Sequence, residues 1–185
     1  TNTFCGSELM LGRHGLEQSY VELNRRAVEL ARAVRDEKAA QSACWIAGAI
    51  GPIWDISATA DFETAYARQI EVLLRSGVDL LAFETFDSPD SLLPALRGLT
   101  RVTAQSDNVP IVLLFSPIED PDFGDESSWT RLNDLLGGRK NIIIGANCGT
   151  GPASLEPVLR QISRQYDSPL ALVPSAGLPG TEAGR

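Results

Sequence analysis

The sequence predicts an α/β fold on a parallel sheet, and three observations carry that reading. Apolar runs begin at Trp45, Val78, Pro110, Asn141 and Pro169, at steps of 33, 32, 31 and 28 residues. The runs are rich in Ile, Val and Leu and do not alternate with polar residues, as expected of strands covered on both faces. The segments between them carry apolar residues at three- and four-residue steps, the period of an amphipathic helix. A strand, a helix and a return strand need about 30 residues, which matches the repeat.

Thr1 to Phe4 reads as the tail of one strand. Leu16, Tyr20, Leu23, Ala27, Leu30 and Val34 then form the apolar stripe of a helix over Glu17 to Lys38. Trp45 to Ile50 is the next strand. Phe62, Ala65, Tyr66, Ile70 and Leu73 mark a second helix, which Gly77 closes just before the strand opening at Val78. Ser88-Pro89 has the form of an N-cap followed by proline at the first helical position. After the strand Ile111 to Phe115, Pro117 to Asp125 is an acidic loop (Glu119, Asp120, Asp122, Asp125), read as a solvated surface rather than a metal site. Asn141 to Ile144 and Pro169 to Val173 are the last strands. Ser154 is the expected cap of the helix between them, with Pro157 in its first turn. Six strand positions result. Periodicity alone leaves a doubly wound sheet and a (β/α)8 barrel equally open.

The 185 residues, 43% apolar and 22% charged, suffice for one sizeable core. A net charge of −8 argues against nucleic acid and against anionic membrane as partners. No apolar run approaches the ~20 residues that span a bilayer. No charged-then-apolar leader is visible, and the three cysteines, Cys5, Cys44 and Cys148, are too widely spaced for a disulfide framework, so a cytoplasmic location is expected. The first residue is Thr1 rather than Met, which reads as a fragment or a processed product.

In either architecture ligands gather at the carboxyl ends of the strands. Those ends read Thr1 to Cys5, Gly51-Pro52, Glu84 to Asp87, Ser116-Pro117, Asn147 to Gly151 and Pro174 to Gly177. Cys148 and Cys5 fall on that face. Cys44 precedes its strand and belongs to the opposite end, about 17 Å away, so these three cysteines cannot share a metal; Cys44 reads as a small buried apolar residue. Cys148 sits in a glycine-rich turn that lets a ligand approach the backbone. Glu84 closes an apolar run, where a carboxylate could bind an ammonium group or pair with a helix terminus. His14, the sole histidine, reads as a surface residue. The glycines of 145–151 do not form a dinucleotide fingerprint.

Six strings together resemble the homocysteine S-methyltransferase family: Thr1-Asn2-Thr3-Phe4; Glu22-Leu23-Asn24-Arg25-Arg26-Ala27; Gly48-Ala49-Ile50-Gly51-Pro52; Gly77 to Thr85; Ile144-Gly145-Ala146-Asn147-Cys148; and Pro174-Ser175-Ala176-Gly177-Leu178-Pro179. The resemblance implies a partial (β/α)8 TIM barrel, about strands two to seven, with residues 1–185 as one barrel domain truncated at both ends. It implies transfer of a methyl group to the thiol of homocysteine, giving methionine, with homocysteine and a methyl donor as small-molecule partners; a homo-oligomer is compatible with it. It implies Zn²⁺ held in part by Cys148, and substrate binding through Glu84, Asn2 and Ser175. The chemistry is coherent, because thiolate is the nucleophile and zinc deprotonates a bound thiol. The family's glycine-rich turn after strand one and its Gly-Gly-Cys-Cys element have no counterpart in these residues, and Ser175 stands where the family usually has Asn. Two further zinc ligands are therefore expected outside this chain, and the 185 residues alone are expected to be inactive and to self-associate. A family member acting as a non-catalytic binding module, and a flavodoxin-like open sheet binding an anion at Gly149-Thr150-Gly151, are the rival readings.

Overall fold

The computed structural model describes residues 1–38, 44–57, 59–103, 109–116 and 124–176. A short helix α1 (Glu8–Gly12) is capped by Ser7, whose Oγ accepts from the Met10 N–H. A 3-10 turn (Glu17–Ser19) leads into α2 (Tyr20–Lys38). The chain then alternates: β1 (Ala47–Ile50), α3 (Phe62–Arg75), β2 (Leu80–Phe86), α4 (Pro89–Thr103), β3 (Ile111–Phe115), α5 (Glu126–Leu136), β4 (Ile142–Cys148), α6 (Pro152–Gln165) and β5 (Leu170–Pro174). The helix starts are written locally. Asp61 and Asp125 accept from the N–H of Thr64 and Ser128, and Ser88 Oγ accepts from Ser91 N–H ahead of Pro89.

The five strands pair in the order β1-β2-β3-β4-β5, and every pairing is parallel. An order that never reverses has no topological switch point, so the doubly wound, flavodoxin-like reading does not hold. With right-handed crossovers, such an order sends successive helices to one face of the sheet. Consecutive helices accordingly pack on each other, α2 on α3, α3 on α4 and α4 on α5. Phe86 meets Tyr66 of α3 at 6.3 Å between ring centroids, and Phe115 meets Trp129 of α5 edge-on at 5.7 Å. Register and alternation then put Phe83, Phe86, Leu113, Phe115, Ile144 and Ala146 on this helix-covered face, all buried. The other face carries Ala82, Glu84, Val112, Leu114, Ile143, Gly145 and Asn147. Among the described residues no helix is long and apolar enough to cross a membrane.

Four sequence expectations need correction. Thr1 to Phe4 is not a strand, so the described sheet has five strands rather than six. The segment lies along β1, held by the Thr1 ammonium and Thr3 Oγ1 on the Ala47 and Ala49 carbonyls (2.9 and 2.8 Å) and by Gly51 N–H on Phe4 O (2.9 Å). Much of this contact is made by side chains and a chain end, not by a backbone ladder. The apolar stripe of α2 is exposed, with Leu23 at 44%, Leu30 at 54% and Val34 at 59% of full accessibility, while Asn24 and Val28 are buried. Periodicity fixes which residues share a helix face and leaves open what covers it. Helix α6 is capped by Gly151 with Pro152 at its first position; Ser154 Oγ instead accepts from Thr150 N–H (3.1 Å) and donates to Gly151 O (2.8 Å), and Pro157 lies inside the helix. Cys44 does precede β1, at the end away from Cys148, but it is exposed rather than buried. Of the acidic loop, residues 117–123 lie outside the described residues, as does Gly177-Leu178-Pro179 of the last string.

The tightest helix contact is at Gly98 of α4. A Cβ there would stand 2.9 Å from both Ala67 N and Glu63 O, backbone atoms of α3 that cannot swing away. Gly98→Ala should therefore destabilise the fold by about 1–3 kcal/mol despite alanine's higher helix propensity. Denaturant unfolding reads this directly, and a variant at least as stable as the native sequence would show that the two helices part freely.

Candidate functional site

Parallel pairing brings the carboxyl ends of β2 and β4 to the same rim, with β3 between them. β2 ends in Glu84-Thr85-Phe86 and β4 in Ala146-Asn147-Cys148. The rim is not regular. Phe83 pairs with Leu113 and Phe86 with Phe115, so three steps along β2 match two along β3. One extra residue is therefore bulged out of β2 at Glu84-Thr85, a device that re-aims side chains next to sites. Thr85 takes φ +66°, and Cys148 takes φ +63°. A left-handed threonine is a true outlier, since its branched Cβ crowds the backbone. Such conformations cost about 1–3 kcal/mol each and persist only where surrounding contacts enforce them.

The enforcing contacts converge on Asn147, which is buried. Its Oδ1 accepts from the Thr85 N–H at 3.1 Å, and its Nδ2 donates to Thr85 Oγ1 at 2.8 Å and lies 3.4 Å from Cys148 Sγ. Thr85 Oγ1 stands 3.8 Å from the same sulfur. Cys148 is half-buried, so its thiol opens at the rim rather than into the core. Its carbonyl accepts from the Ser175 N–H at 2.8 Å, which ties the end of β5 to the group.

Glu84 precedes Thr85 and is half-buried. Burial pushes its carboxyl above the usual carboxylate range, with the Thr1 amino group pulling weakly the other way. The structure thus brings Glu84, Cys148 and the Ser175 backbone to one rim. The Ser175 side chain is exposed. Asn2 is also exposed and lines a groove of about 1170 Å³ along α2; it takes no part in the hydrogen bonds that join Thr85, Asn147 and Cys148. Thr85 and Asn147 themselves were not singled out in the sequence. Their adjacency to Glu84 and Cys148 was the available clue, but a positive φ at a non-glycine residue leaves no mark in composition.

As a metal centre the rim offers one soft donor. Cys148 fits as a thiolate ligand, with hydrogen-bond donors aimed at its sulfur. Among the described residues no group of three or more His, Cys, Asp or Glu could hold an ion, and Cys5 and Cys44 are exposed elsewhere. One thiolate does not fix a metal.

The homocysteine S-methyltransferase family profile matches residues 1–185. The chain is 26% identical over 189 residues to methionine synthase of Mycobacterium tuberculosis (strain ATCC 25618 / H37Rv), covering 97% of this chain and 16% of that protein. It is 27% identical over 188 residues to methionine synthase of Mycobacterium leprae (strain TN), covering 97% and 15%. The chain therefore spans about one-sixth of the length of these curated relatives. Among solved structures, the fold is similar to the homocysteine methyltransferase MmuM from Escherichia coli. The oxidized form superposes with a TM-score of 0.73 at 22% identity, covering 96% of this chain and 65% of that one. The metallated form gives 0.72 at 21%, covering 96% and 66%.

The half-buried Glu84 gives a stability test. A carboxyl whose pKa is raised on folding makes the folded state the better proton binder, so its contribution to stability falls as pH rises through the raised value. Glu84→Gln should melt above the native protein at neutral pH, and the gap should close as pH falls below the ordinary glutamate range. Thermal unfolding at both pH values reads this; a gap that widens on acidification would contradict the burial argument.

Proposed function

The chain belongs to the homocysteine S-methyltransferase family, and from that premise we propose that the protein carrying it transfers a methyl group to the sulfur of homocysteine, giving methionine. The observation that carries this reading is the placement of a half-buried carboxylate and a rim thiol at the same rim, at the ends of β2 and β4, with Thr85 and Asn147 hydrogen-bonded beside the thiol. In this reading the Glu84 carboxylate accepts hydrogen bonds from the substrate ammonium, and its partial burial strengthens that pairing. The nucleophile is the substrate's own sulfur, which must lose its proton before it forms a bond to the methyl carbon as the donor's bond to that carbon breaks. No side chain of this chain is needed as a covalent catalyst; what the rim supplies is position. Ser175 and Asn2 are proposed as further substrate contacts.

Zinc belongs to the proposal as well. Cys148 is one proposed thiolate ligand, and the remaining ligands are assigned to residues outside those described. Residues 1–185 are read as one domain, a section of a (β/α)8 barrel. The sequential strand order supports this, as do the exposed apolar residues of β5 (Leu170, Leu172, Val173) and of α2, surfaces that a continuing barrel would cover. A non-catalytic binding module is the second reading, favoured by the single thiol at the rim.

Two measurements on the complete protein separate these readings. Metal analysis should find about one zinc per chain, lost in Cys148→Ala together with methylation of homocysteine; full activity in that variant would falsify the assigned role, and an inert, zinc-free native protein would favour the module. Glu84→Gln should raise KM for homocysteine by about 10- to 100-fold, the worth of a hydrogen bond to a charged group. That loss should grow smaller as pH falls, since protonation removes the carboxylate from the native protein too.

A further inference from the structure

We infer that Asn147 and Thr85 form a positioning clasp that sets how far the Cys148 sulfur stands from the Glu84 carboxylate, and that the clasp selects homocysteine over thiols of other length. The inference rests on the functional reading above and goes beyond it.

β2 and β4 are not neighbours; the pairing with β3 skips the bulge at Glu84-Thr85 and ends at Ala146, so a direct tie is what fixes Thr85 against the end of β4. The Asn147 amide is that tie. The Thr85 N–H can only donate, so it fixes which end of the amide is oxygen; the nitrogen then faces both Thr85 Oγ1 and Cys148 Sγ. One side chain thereby holds two left-handed residues: Thr85, directly beside the proposed substrate anchor Glu84, and Cys148, the proposed thiolate ligand itself. No other side chain does the same. Aspartate keeps the acceptor but loses both donors, and glutamine is one methylene too long. An amino-acid thiol bound between an ammonium anchor and a sulfur site must span that gap. Homocysteine has two methylenes between its α-carbon and its sulfur, and cysteine has one. A fixed gap turns that single methylene into discrimination, a difference worth about 10- to 200-fold where a pocket is rigid.

The test uses the complete protein and two variants of Thr85, which disturb the clasp while sparing Asn147, Cys148 and Glu84. Thr85→Val preserves shape and removes the hydroxyl; Thr85→Ser keeps the hydroxyl and removes a methyl. The clasp predicts that Val weakens homocysteine binding, by calorimetry and in KM, about 3- to 10-fold, that it lowers the preference for homocysteine over cysteine by about tenfold, and that Ser restores both. A purely structural role predicts the reverse order, with Val equal to the native protein and Ser the weaker. Val matching the native protein in binding and selectivity overturns the clasp alone. A native protein that neither binds nor methylates homocysteine overturns the functional reading and the clasp with it.

Discussion

A parallel sheet has two unlike rims, and this molecule depends on that asymmetry. Each strand delivers its carboxyl end to one side, so residues 64 positions apart in sequence can reach the same rim without any dedicated loop. Glu84 and Cys148 come to one rim in this way. The strand order adds a second constraint. Because it never reverses, the helices collect on one face and bury Phe83, Phe86, Leu113 and Phe115 there. The polar residues Glu84 and Asn147 are left on the other face.

Rim and core stand in opposition energetically. A half-buried carboxylate, a left-handed threonine and a left-handed cysteine are each unfavourable alone. They survive because the strands beneath them are rigid. Ile144 and Ala146 are fully buried just below Cys148, as is Phe83 just below Glu84. Strain concentrated at the ends of two strands on one rim, above a packed core, is the usual distribution at a functional site, where geometry is bought with stability from elsewhere.

The sequence was legible where a physical period governs. Strand spacing, the helices between strands and the placement of Glu84 and Cys148 at one rim follow from repeats of 3.6 and about 30 residues, and the Ser88-Pro89 start follows from capping chemistry. It was illegible where a tertiary contact overrides a local preference. The stripe of α2 looked like a buried face, yet Asn24 and Val28 take the inner positions while Leu23, Leu30 and Val34 face out. Asn24 donates to Gly6 O and Tyr20 O, both at 2.7 Å, so a polar residue satisfied by backbone displaced an apolar one. Ser154 looked like a cap because of its chemistry, but Gly151, with no side chain to offer, holds that position ahead of Pro152. Thr85 was the hardest to foresee. Threonine favours extended backbone, and the amide of Asn147, 62 residues away, holds it otherwise.

The extra residue in β2 also fixes the parity of the strand. Phe83 and Phe86 are three apart, an odd interval, yet both point toward the helices, because one residue of the bulge does not count in the alternation. Deleting a single residue between them would not simply shorten the strand. It would turn Phe86 away from Tyr66, or else drag everything beyond it by one place. Over evolutionary time this stretch should therefore accept exchanges of side chain far more readily than any change in its length.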